Sequence, residues 1–307
     1  MTMSDRDGYI WYNGGLVEWR EASVHVLAHT LHYGMGVFEG LRAYRTHRGP
    51  AIFRLEDHVR RLCNSAKITM MSLNYTVEQI SQAHADVVQA NKLQACYLRP
   101  MAFYGASKLG VMPDERDVQL IVAAWEWGTY LGENALEQGI RAKISSFCRQ
   151  HPNTSMSKAK VNGNYLNSIY AKKEAIRQGY DEALMLDLQG YVAEGTGENI
   201  FLVIKNRLHT PTLVSALEGI TRDTVIQLAR DMGLEVIERA ITRDELYIAD
   251  EVFLTGTAVE ITPVSEIDNV KIGNSRRGPI TEQLQQAYFE LVRGLNSKYT
   301  NWLTYVT

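Results

Sequence analysis

The sequence predicts a two-domain protein of the α/β class, with its helices and strands arranged in α+β layers. Strand-like and helical segments are mixed along all 307 residues, without internal repeats or low-complexity stretches. Runs of strands are punctuated by helices, which favours layered sheets over regular βαβ winding. The pattern breaks at Gly-Thr-Tyr-Leu-Gly-Glu-Asn (128–134). We therefore expect a small N-terminal domain over 1–127, an interdomain loop over 128–137 and a large C-terminal domain over 138–307.

The elements of the N-terminal domain follow from turn residues and from the spacing of apolar residues. Asn13-Gly14 suits a tight hairpin turn, and apolar residues at 55, 59, 62 and 66 recur at helical spacing. Two later segments are rich in β-branched and aromatic residues, as strands are. In chain order we expect a hairpin (Tyr9–Tyr12 and Leu16–Trp19), helices over Leu55–Ile68 and Val77–Asn91, and strands over Cys96–Tyr104 and Val118–Trp125.

The C-terminal domain is predicted to mix strands and helices in the same way. In chain order we expect a strand (Arg141–Phe147), a helix (Tyr165–Gln178), a hairpin around Glu194, a helix (Thr221–Met232), a strand (Glu251–Thr255) and a last helix from about Thr281 to Arg293.

The stretch Tyr191–Phe201 carries a carboxylate, Glu194, followed by the closely spaced Gly195 and Gly197. Two such glycines let backbone approach a bound group where a Cβ would clash. An ordinary hairpin with a polar turn explains this stretch alone equally well. Other residues are needed to decide between the two interpretations.

Composition narrows the class of protein. A net charge of −3 with mixed signs gives no reason to expect nucleic acid or an anionic membrane as a partner. No apolar run approaches the roughly 18 residues of a membrane-spanning helix. Three cysteines, far apart and without metal-ligand spacing, suit a reducing compartment and predict no metal site. With a polar N-terminus that lacks a signal peptide, we expect a cytoplasmic protein.

A candidate for covalent chemistry lies in the segment His151–Tyr165, just before a predicted helix. A lysine on a rigid element, with a tyrosine nearby, can form a Schiff base with an aldehyde cofactor. The segment offers Lys158 and Lys160. Residues two apart share a face of an extended chain, so periodicity does not choose between them.

Lys160, Gly163-Asn164-Tyr165 and Glu194-Gly-Thr-Gly-Glu-Asn199 together resemble the signature of pyridoxal-phosphate (PLP) enzymes of fold type IV. This group includes the branched-chain and D-amino acid aminotransferases and aminodeoxychorismate lyase. The resemblance implies a two-domain fold like that of D-amino acid aminotransferase. It selects Lys160 as the lysine that carries the cofactor and Tyr165 as the partner of its phenolic oxygen. Glu194 would face the pyridine nitrogen and keep it protonated.

Two glycine-containing loops are candidates for binding the cofactor phosphate. Leu217–Thr221 opens a predicted helix, where backbone N–H groups attract anions, and Gly256–Ala258 follows a predicted strand. The resemblance assigns phosphate contacts to Ile220, Thr221 and Thr257. The first loop departs from many relatives, because Glu218 stands where they carry proline.

A third phosphate contact is predicted from the segment His58–Ala66. Helical geometry places both Arg60 and Arg61 off the apolar face. The family's His-x-x-Arg-Leu pattern selects Arg61.

The substrate end resembles the branched-chain aminotransferases, through Tyr33-Gly-Met-Gly-Val-Phe-Glu-Gly-Leu-Arg42 and Tyr97-Leu98-Arg99. Tyr97 and Arg99 share one face of a strand and are expected to bind the substrate carboxylate, which favours L-amino acids. The loop Leu109–Val111 and Tyr33 match parts that a neighbouring subunit contributes, so a homodimer or a higher homo-oligomer is expected. By the resemblance, substrate binding is assigned to Tyr33, Phe38, Gly40, Tyr97, Arg99, Val111, Trp127, Tyr130, Thr257 and Ala258.

The resemblance implies PLP-dependent transamination of L-leucine, L-isoleucine and L-valine with 2-oxoglutarate, by ping-pong kinetics. An apolar pocket distinguishes these substrates by only about 1–3 kcal/mol per methylene, so all three are expected to react. A side activity on (R)-primary amines is a further expectation, and a (R)-amine or D-amino acid transaminase, or a lyase, is the nearest alternative. A cofactor carrier without turnover fits less well, because binding alone does not need Lys160, Tyr165 and Glu194 together.

Overall fold

The computed structural model describes residues 2–128 and 134–306. Contacts divide the chain into two compact units. The first contains the chain up to Gly128, Ala159–Gly163 and the segment from Leu291 onward, and the second contains the two stretches between these. The division differs from the predicted one at 159–163 and 291–307, which were expected in the C-terminal domain. Both segments pair with strands of the first unit, Val161 with Val37 and Leu303–Tyr305 with Ala51–Phe53.

The described residues form seventeen strands and eight α-helices. The strands are β1 (Tyr9–Tyr12), β2 (Gly15–Glu18), β3 (Gly36–Phe38), β4 (Leu41–Thr46), β5 (Gly49–Phe53), β6 (Cys96–Tyr104), β7 (Val118–Trp125), β8 (Ile140–Ile144), β9 (Glu182–Leu186), β10 (Val192–Gly195), β11 (Asn199–Ile204), β12 (Arg207–Pro211), β13 (Val236–Arg239), β14 (Glu251–Gly256), β15 (Glu260–Ile267), β16 (Val270–Lys271) and β17 (Leu303–Tyr305). The helices are α1 (His29–Tyr33), α2 (Leu55–Ile68), α3 (Val77–Ala90), α4 (Ala135–Gln138), α5 (Tyr165–Arg177), α6 (Ile220–Asp231), α7 (Arg243–Ile248) and α8 (Pro279–Val292).

The first unit is built on an antiparallel sheet in the order β17-β5-β4-β6-β7-β1-β2, with β3 also paired to β6. Leu62 of α2, Ile80 of α3 and Leu98 of β6 are fully buried in one cluster. Helix α3 begins at a reciprocal cap, in which the Thr76 hydroxyl accepts from the N–H of Gln79 and the Gln79 side chain accepts from the N–H of Thr76. This satisfies two amides that the start of a helix leaves without partners.

The second unit is built on a mixed sheet in the order β10-β9-β8-β15-β14-β11-β12-β13, with β16 on β15. The pairs β8–β9, β8–β15 and β12–β13 are parallel, and the others are antiparallel. Leu184, Ile200 and Leu254 are fully buried in its core. Strands β11 and β14 are buried at nearly every position, which is typical of strands covered on both faces.

Most predicted elements are present, and one pairing was wrong. The bounds of α2, β6 and β7 are those predicted, and in the β1–β2 hairpin both Asn13 (φ 48°) and Gly14 (φ 104°) adopt the positive φ of the expected turn. The hairpin around Glu194 is not formed, because among the described residues β10 pairs with β9 and β11 with β12 and β14. Only the backbone bond from Gly195 N–H to the Glu198 carbonyl (2.7 Å) closes the turn.

Within residues 2–128 and 134–306, each helix is too short or too polar to cross a lipid bilayer.

Candidate active site

Lys160 lies on the short segment of the first unit that pairs with β3. Its N–H donates to the Ser65 hydroxyl (2.9 Å), and its carbonyl accepts from the N–H of Phe38 (3.1 Å). Its ammonium lies 5.1 Å from the centre of the Phe38 ring. The main chain of this half-buried lysine is therefore held on both sides, which limits where its amine can lie.

Lys158 has different surroundings, in the second unit. Its ammonium donates to the carbonyls of Leu213 and Ala216 (3.5 Å for the latter) and lies 3.2 Å from a carboxylate oxygen of Glu218. The Lys158 side chain thus binds the loop 213–218, which precedes helix α6. Periodicity does not separate the two lysines, and in the structure their partners differ.

Arg61 contacts a buried carboxylate that the sequence analysis did not single out. The Glu39 side chain, wholly shielded from solvent, accepts from Nε (2.5 Å) and Nη2 (2.8 Å) of Arg61. It also accepts from Nδ1 of His58 (2.8 Å). Arg60, the alternative in the sequence, instead pairs with Glu56 on the exposed face of α2. An acid in an otherwise apolar strand segment is the signal that marks Glu39.

Tyr97 and Arg99 project from the same face of β6 and contact each other. Arg99 Nη2 donates to the Tyr97 hydroxyl (3.1 Å), and the guanidinium lies 4.8 Å from the centre of the Phe38 ring. The Nε of Arg99 is buried and has no hydrogen-bond partner among the described residues. Gly40 lies against this pair, since a Cβ there would stand 2.0 Å from the Tyr97 hydroxyl. Trp127 packs on the Tyr97 ring at 4.3 Å.

Two of the predicted substrate contacts are exposed in a single chain. Tyr33, at the end of α1, is 47% exposed, and Val111 is 82% exposed. Their segments are tied together, because the ring of His29 hydrogen-bonds the Gly110 carbonyl (2.8 Å) and stacks on Tyr33 (4.7 Å). The predicted contact Tyr130 lies outside the described residues.

Glu194 is a buried carboxylate of the second unit, 4% exposed. Its Oε1 lies 2.7 Å from Nη2 of Arg149, and its Oε2 accepts from the N–H of Leu217 (3.3 Å). Arg149, which the sequence analysis missed, is held in turn by the Ser168 hydroxyl (3.1 Å). The charge of Arg149 favours the ionised form of Glu194.

The loop after Leu217 leads directly into helix α6. Gly219 is its N-cap and provides no side-chain cap for the first amides, so they are available to an anion. A Cβ at Gly219 would lie 1.9 Å from Oδ1 of Asn199, whose Nδ2 donates to the Leu217 carbonyl (3.0 Å). Asn199 therefore fixes the loop and requires glycine at 219. Thr221 at the helix start is buried.

A second turn, at the end of β14, contains Thr257 and Ala258, both half-buried. Tyr165 is the first residue of α5 and is also half-buried. These residues belong to the second unit, with Glu194, Ile220 and Thr221. The predicted site residues of the first unit within the described chain are Tyr33, Phe38, Gly40, Arg61, Tyr97, Arg99, Val111, Trp127 and Lys160.

The donor set of the second unit fits a phosphorylated pyridine. Leu217 N–H contacts the Glu194 carboxylate, so that acid lies near the loop that opens α6. A buried, ionised carboxylate suits a protonated ring nitrogen, and uncapped helix amides with threonine hydroxyls suit a phosphate dianion. The residues present are thus compatible with PLP.

A second buried acid, Glu198, follows the same glycines. Burial and repulsion from Glu182 raise the pKa of Glu198 to about 8. Glu182 itself accepts from the Thr196 hydroxyl (2.7 Å) and pairs with Lys172 (2.5 Å). Glu198 is consequently the protonated member of this cluster at neutral pH.

The chain is similar to known proteins along its whole length. The sequence pattern of the family described as amino-transferase class IV matches residues 36–267. A branched-chain-amino-acid aminotransferase of Pseudomonas aeruginosa is 54% identical over 306 residues, covering 100% of both chains. That of Escherichia coli (strain K12) is 47% identical over 308 residues, covering 100% of this chain and 99% of the relative. The crystal structure of the T.th. branched-chain amino acid aminotransferase with pyridoxamine 5'-phosphate superposes with a TM-score of 0.96 at 50% identity, covering 98% and 99% of the two chains.

Proposed function

Because the chain belongs to the class IV aminotransferase family, we propose that it exchanges the amino groups of L-leucine, L-isoleucine and L-valine with 2-oxoglutarate, using PLP. Its fold is that of PLP fold type IV. The observation that carries the proposal is the full-length identity to branched-chain aminotransferases, 54% over 306 residues. The buried Tyr97 and the half-buried Arg99, which lie beside Phe38, support it from the geometry.

From the family resemblance, we assign cofactor binding to six residues besides Lys160. The amine of Lys160 would hold the cofactor, Tyr165 would bond its phenolic oxygen, and Glu194 would hold the proton on its ring nitrogen. The phosphate is bound by Arg61, by the amides and hydroxyl at Ile220 and Thr221, and by Thr257. Bound PLP supplies an aldehyde carbon and an electron-accepting ring.

The remaining chemistry belongs to the side chains. With PLP bound, the amine of Lys160 would be the group that moves the proton between the substrate Cα and the cofactor. Arg149, 2.7 Å from Oε1 of Glu194, would oppose the loss of negative charge on that carboxylate. Arg99 binds the substrate carboxylate through its buried Nε and remaining N–H groups, and the Tyr97 hydroxyl orients it.

The substrate side chain would meet an apolar wall. Phe38, Trp127 and Ala258 supply it from this chain, and Tyr33 and Val111 from a second copy. Without a polar group to recognise a branch, such a wall separates the three donors by only about 1–3 kcal/mol per methylene. We therefore expect broad activity among them.

We propose a homodimer, in which Tyr33 and Val111 serve the partner's pocket. Exposed apolar side chains lie close to both residues in the sequence: Val26 is 73%, Leu31 61% and Met112 63% exposed. Monomeric proteins rarely expose such contiguous apolar surface. A charged residue at Val111 (Val111→Arg) should shift the protein toward monomer in sedimentation velocity and lower its activity together.

A cytoplasmic location is likewise a proposal. The three cysteines are free thiols, which suits a reducing compartment.

A half-reaction tests the assignment. The PLP-loaded protein is mixed separately with L-leucine, D-alanine and (R)-1-phenylethylamine, and the visible absorbance of the bound cofactor is followed. Loss of the band with L-leucine, restored by 2-oxoglutarate, supports the proposal, and a response to the amine measures the expected side activity. A band that ignores L-leucine and responds to D-alanine or to the amine would overturn the roles given to Tyr97 and Arg99.

A further inference from the structure

Glu39 is a fully buried carboxylate held by one face of helix α2. Both of its oxygens are used: Oε1 accepts from Arg61 Nε at 2.5 Å, and Oε2 accepts from Arg61 Nη2 and His58 Nδ1, each at 2.8 Å. The N–H of Gly40 lies 3.3 Å from Oε2. Such a side-on fork fixes both the position and the plane of a guanidinium.

The ionisation of this cluster is set by its geometry. Burial raises the pKa of the Glu39 carboxyl, but the charge and hydrogen bonds of Arg61, with that of His58, outweigh burial and hold the pKa well below its usual range. Burial lowers the pKa of the His58 imidazole, and the bond with Glu39 offsets this only in part. Glu39 is therefore charged and His58 neutral at neutral pH, with the His58 proton on Nδ1.

The same helix face also holds Lys160. His58, Arg61 and Ser65 are three and four residues apart, so they lie on one side of α2. Ser65 accepts the N–H of Lys160, while Phe38, which precedes Glu39, donates to the Lys160 carbonyl. Glu39 donates its own N–H to the Pro100 carbonyl of β6 (3.0 Å). The guanidinium of Arg61 and the main chain of Lys160 are thus both positioned by helix α2 and by the adjacent residues Phe38 and Glu39.

We propose that Glu39 is a positioning residue that orients the Arg61 guanidinium to receive the cofactor phosphate. The fork occupies two of the five N–H donors of the arginine. Stability is a weak reason to retain the pair, because buried ion pairs add little net stability over apolar residues of similar size. Orientation of the Arg61 guanidinium is a better reason to retain the pair, since an arginine side chain has several rotatable bonds. The inference rests on the proposed role of Arg61 in phosphate binding.

The experiment compares two ligands that differ only in the phosphate. Apo-protein is titrated with PLP and with pyridoxal, for wild type, Glu39→Gln, Arg61→Ala and the double variant. Glu39→Gln should weaken PLP binding by at least about tenfold, as expected for loss of an oriented charged contact, with pyridoxal affinity unchanged. In the Arg61→Ala background the substitution should have no further effect, because the residue it orients is absent.

Glu56→Gln is the matched control, since it breaks a Glu–Arg pair on the same helix that is exposed. It should leave PLP affinity unchanged. If Glu39→Gln does not fold, Glu39→Asp replaces it: the carboxylate is retained but withdrawn by one methylene, so PLP affinity alone should fall.

Three outcomes would overturn the proposal. These are a parallel loss of PLP and pyridoxal affinity, an effect of Glu39→Gln that persists without Arg61, and an Arg61→Ala variant that binds PLP as wild type does. Failure of the proposed function looks different. If the protein does not use PLP, the wild type binds neither ligand; if only the amino donor is misassigned, the affinities follow the prediction while the cofactor band ignores L-leucine.

Discussion

Replacing Gly40 by alanine should damage substrate binding through Tyr97. The added Cβ would lie 2.0 Å from the Tyr97 hydroxyl and 2.8 Å from Cζ, where real contacts stay above 3.0 Å. The ring must therefore move by about 1 Å or more. Tyr97 is 5% exposed and packs against Trp127 at 4.3 Å, so it has little room, and overpacking of this kind costs about 1–3 kcal/mol.

The movement would also break the 3.1 Å hydrogen bond from Arg99 to the Tyr97 hydroxyl. A hydrogen bond to a charged group contributes about 1.5–3 kcal/mol, so kcat/KM for L-leucine should fall about 10- to 100-fold. Because the carboxylate of the substrate is bound before and during reaction, most of the loss should appear in KM. Initial-rate kinetics with L-leucine as the varied donor measure the split.

Two control variants test this explanation of the Gly40→Ala effect. Gly15→Ala adds a Cβ that meets nothing within 4 Å, and it should leave KM unchanged. In a Tyr97→Phe background the hydroxyl and its hydrogen bond are already absent and only the milder contact with Cζ at 2.8 Å remains, so Gly40→Ala should add less than it does alone. Unchanged kcat/KM in Gly40→Ala, or an equal loss in both backgrounds, would refute the reasoning.

Three further predictions concern residues of the second unit. Lys158→Met removes the donor to two carbonyls of the loop before α6 and should speed the release of PLP, measured by dilution into an apo-protein trap. Glu218→Gln should change the release rate little, because its ion pair with Lys158 is exposed and weak. Equal effects of the two substitutions would contradict this prediction. Glu194→Gln loses the charge that holds the ring proton, so kcat should fall at least about tenfold with PLP still bound, and an unchanged single-turnover rate would contradict the assignment. The folded protein keeps a proton on Glu198, whose pKa is raised to about 8, while the unfolded chain releases that proton at a pH of about 4.3. The stability that the protonated carboxyl contributes is therefore present at low pH and is lost as pH rises toward 8. In urea unfolding, the stability of Glu198→Gln relative to wild type should accordingly increase between pH 5 and pH 9. If the difference in unfolding free energy between the two proteins stayed constant over this range, Glu198 would not be the source of the pH dependence.

The local elements were predictable because their signals are local. Helix α2 and strands β6 and β7 were predicted within their observed bounds, since apolar spacing and β-branched or aromatic content act over neighbouring residues. Pairing is a property of distant segments. Strand β10 leads into the glycine turn but pairs with β9, and β17 pairs with β5 some 250 residues earlier.

The candidate site shows the same division. Lys158 and Lys160 are equivalent by periodicity, and only the loop 213–218, more than 50 residues later, distinguishes their surroundings. Arg60 and Arg61 are equivalent on a helical projection, and only the position of Glu39 separates them. Resemblance selected one member of each pair, while the contacts that make the two members different are ones that a single sequence does not display.

Three consecutive residues, Phe38, Glu39 and Gly40, each hold a different part of the proposed site. The N–H of Phe38 holds the carbonyl of Lys160, the carboxylate of Glu39 holds Arg61, and the missing side chain of Gly40 leaves space for Tyr97. Lys160, Arg61 and Tyr97, to which we assign the cofactor, its phosphate and the substrate, are therefore positioned by one stretch of backbone, which Glu39 fixes to β6 through Pro100. A shift of that backbone would move all three together, so their mutual spacing survives small movements of the surrounding sheet. This accounts for an acid and a glycine in sequence by two separate physical requirements, whereas the main-chain bond of Phe38 makes no demand on its side chain.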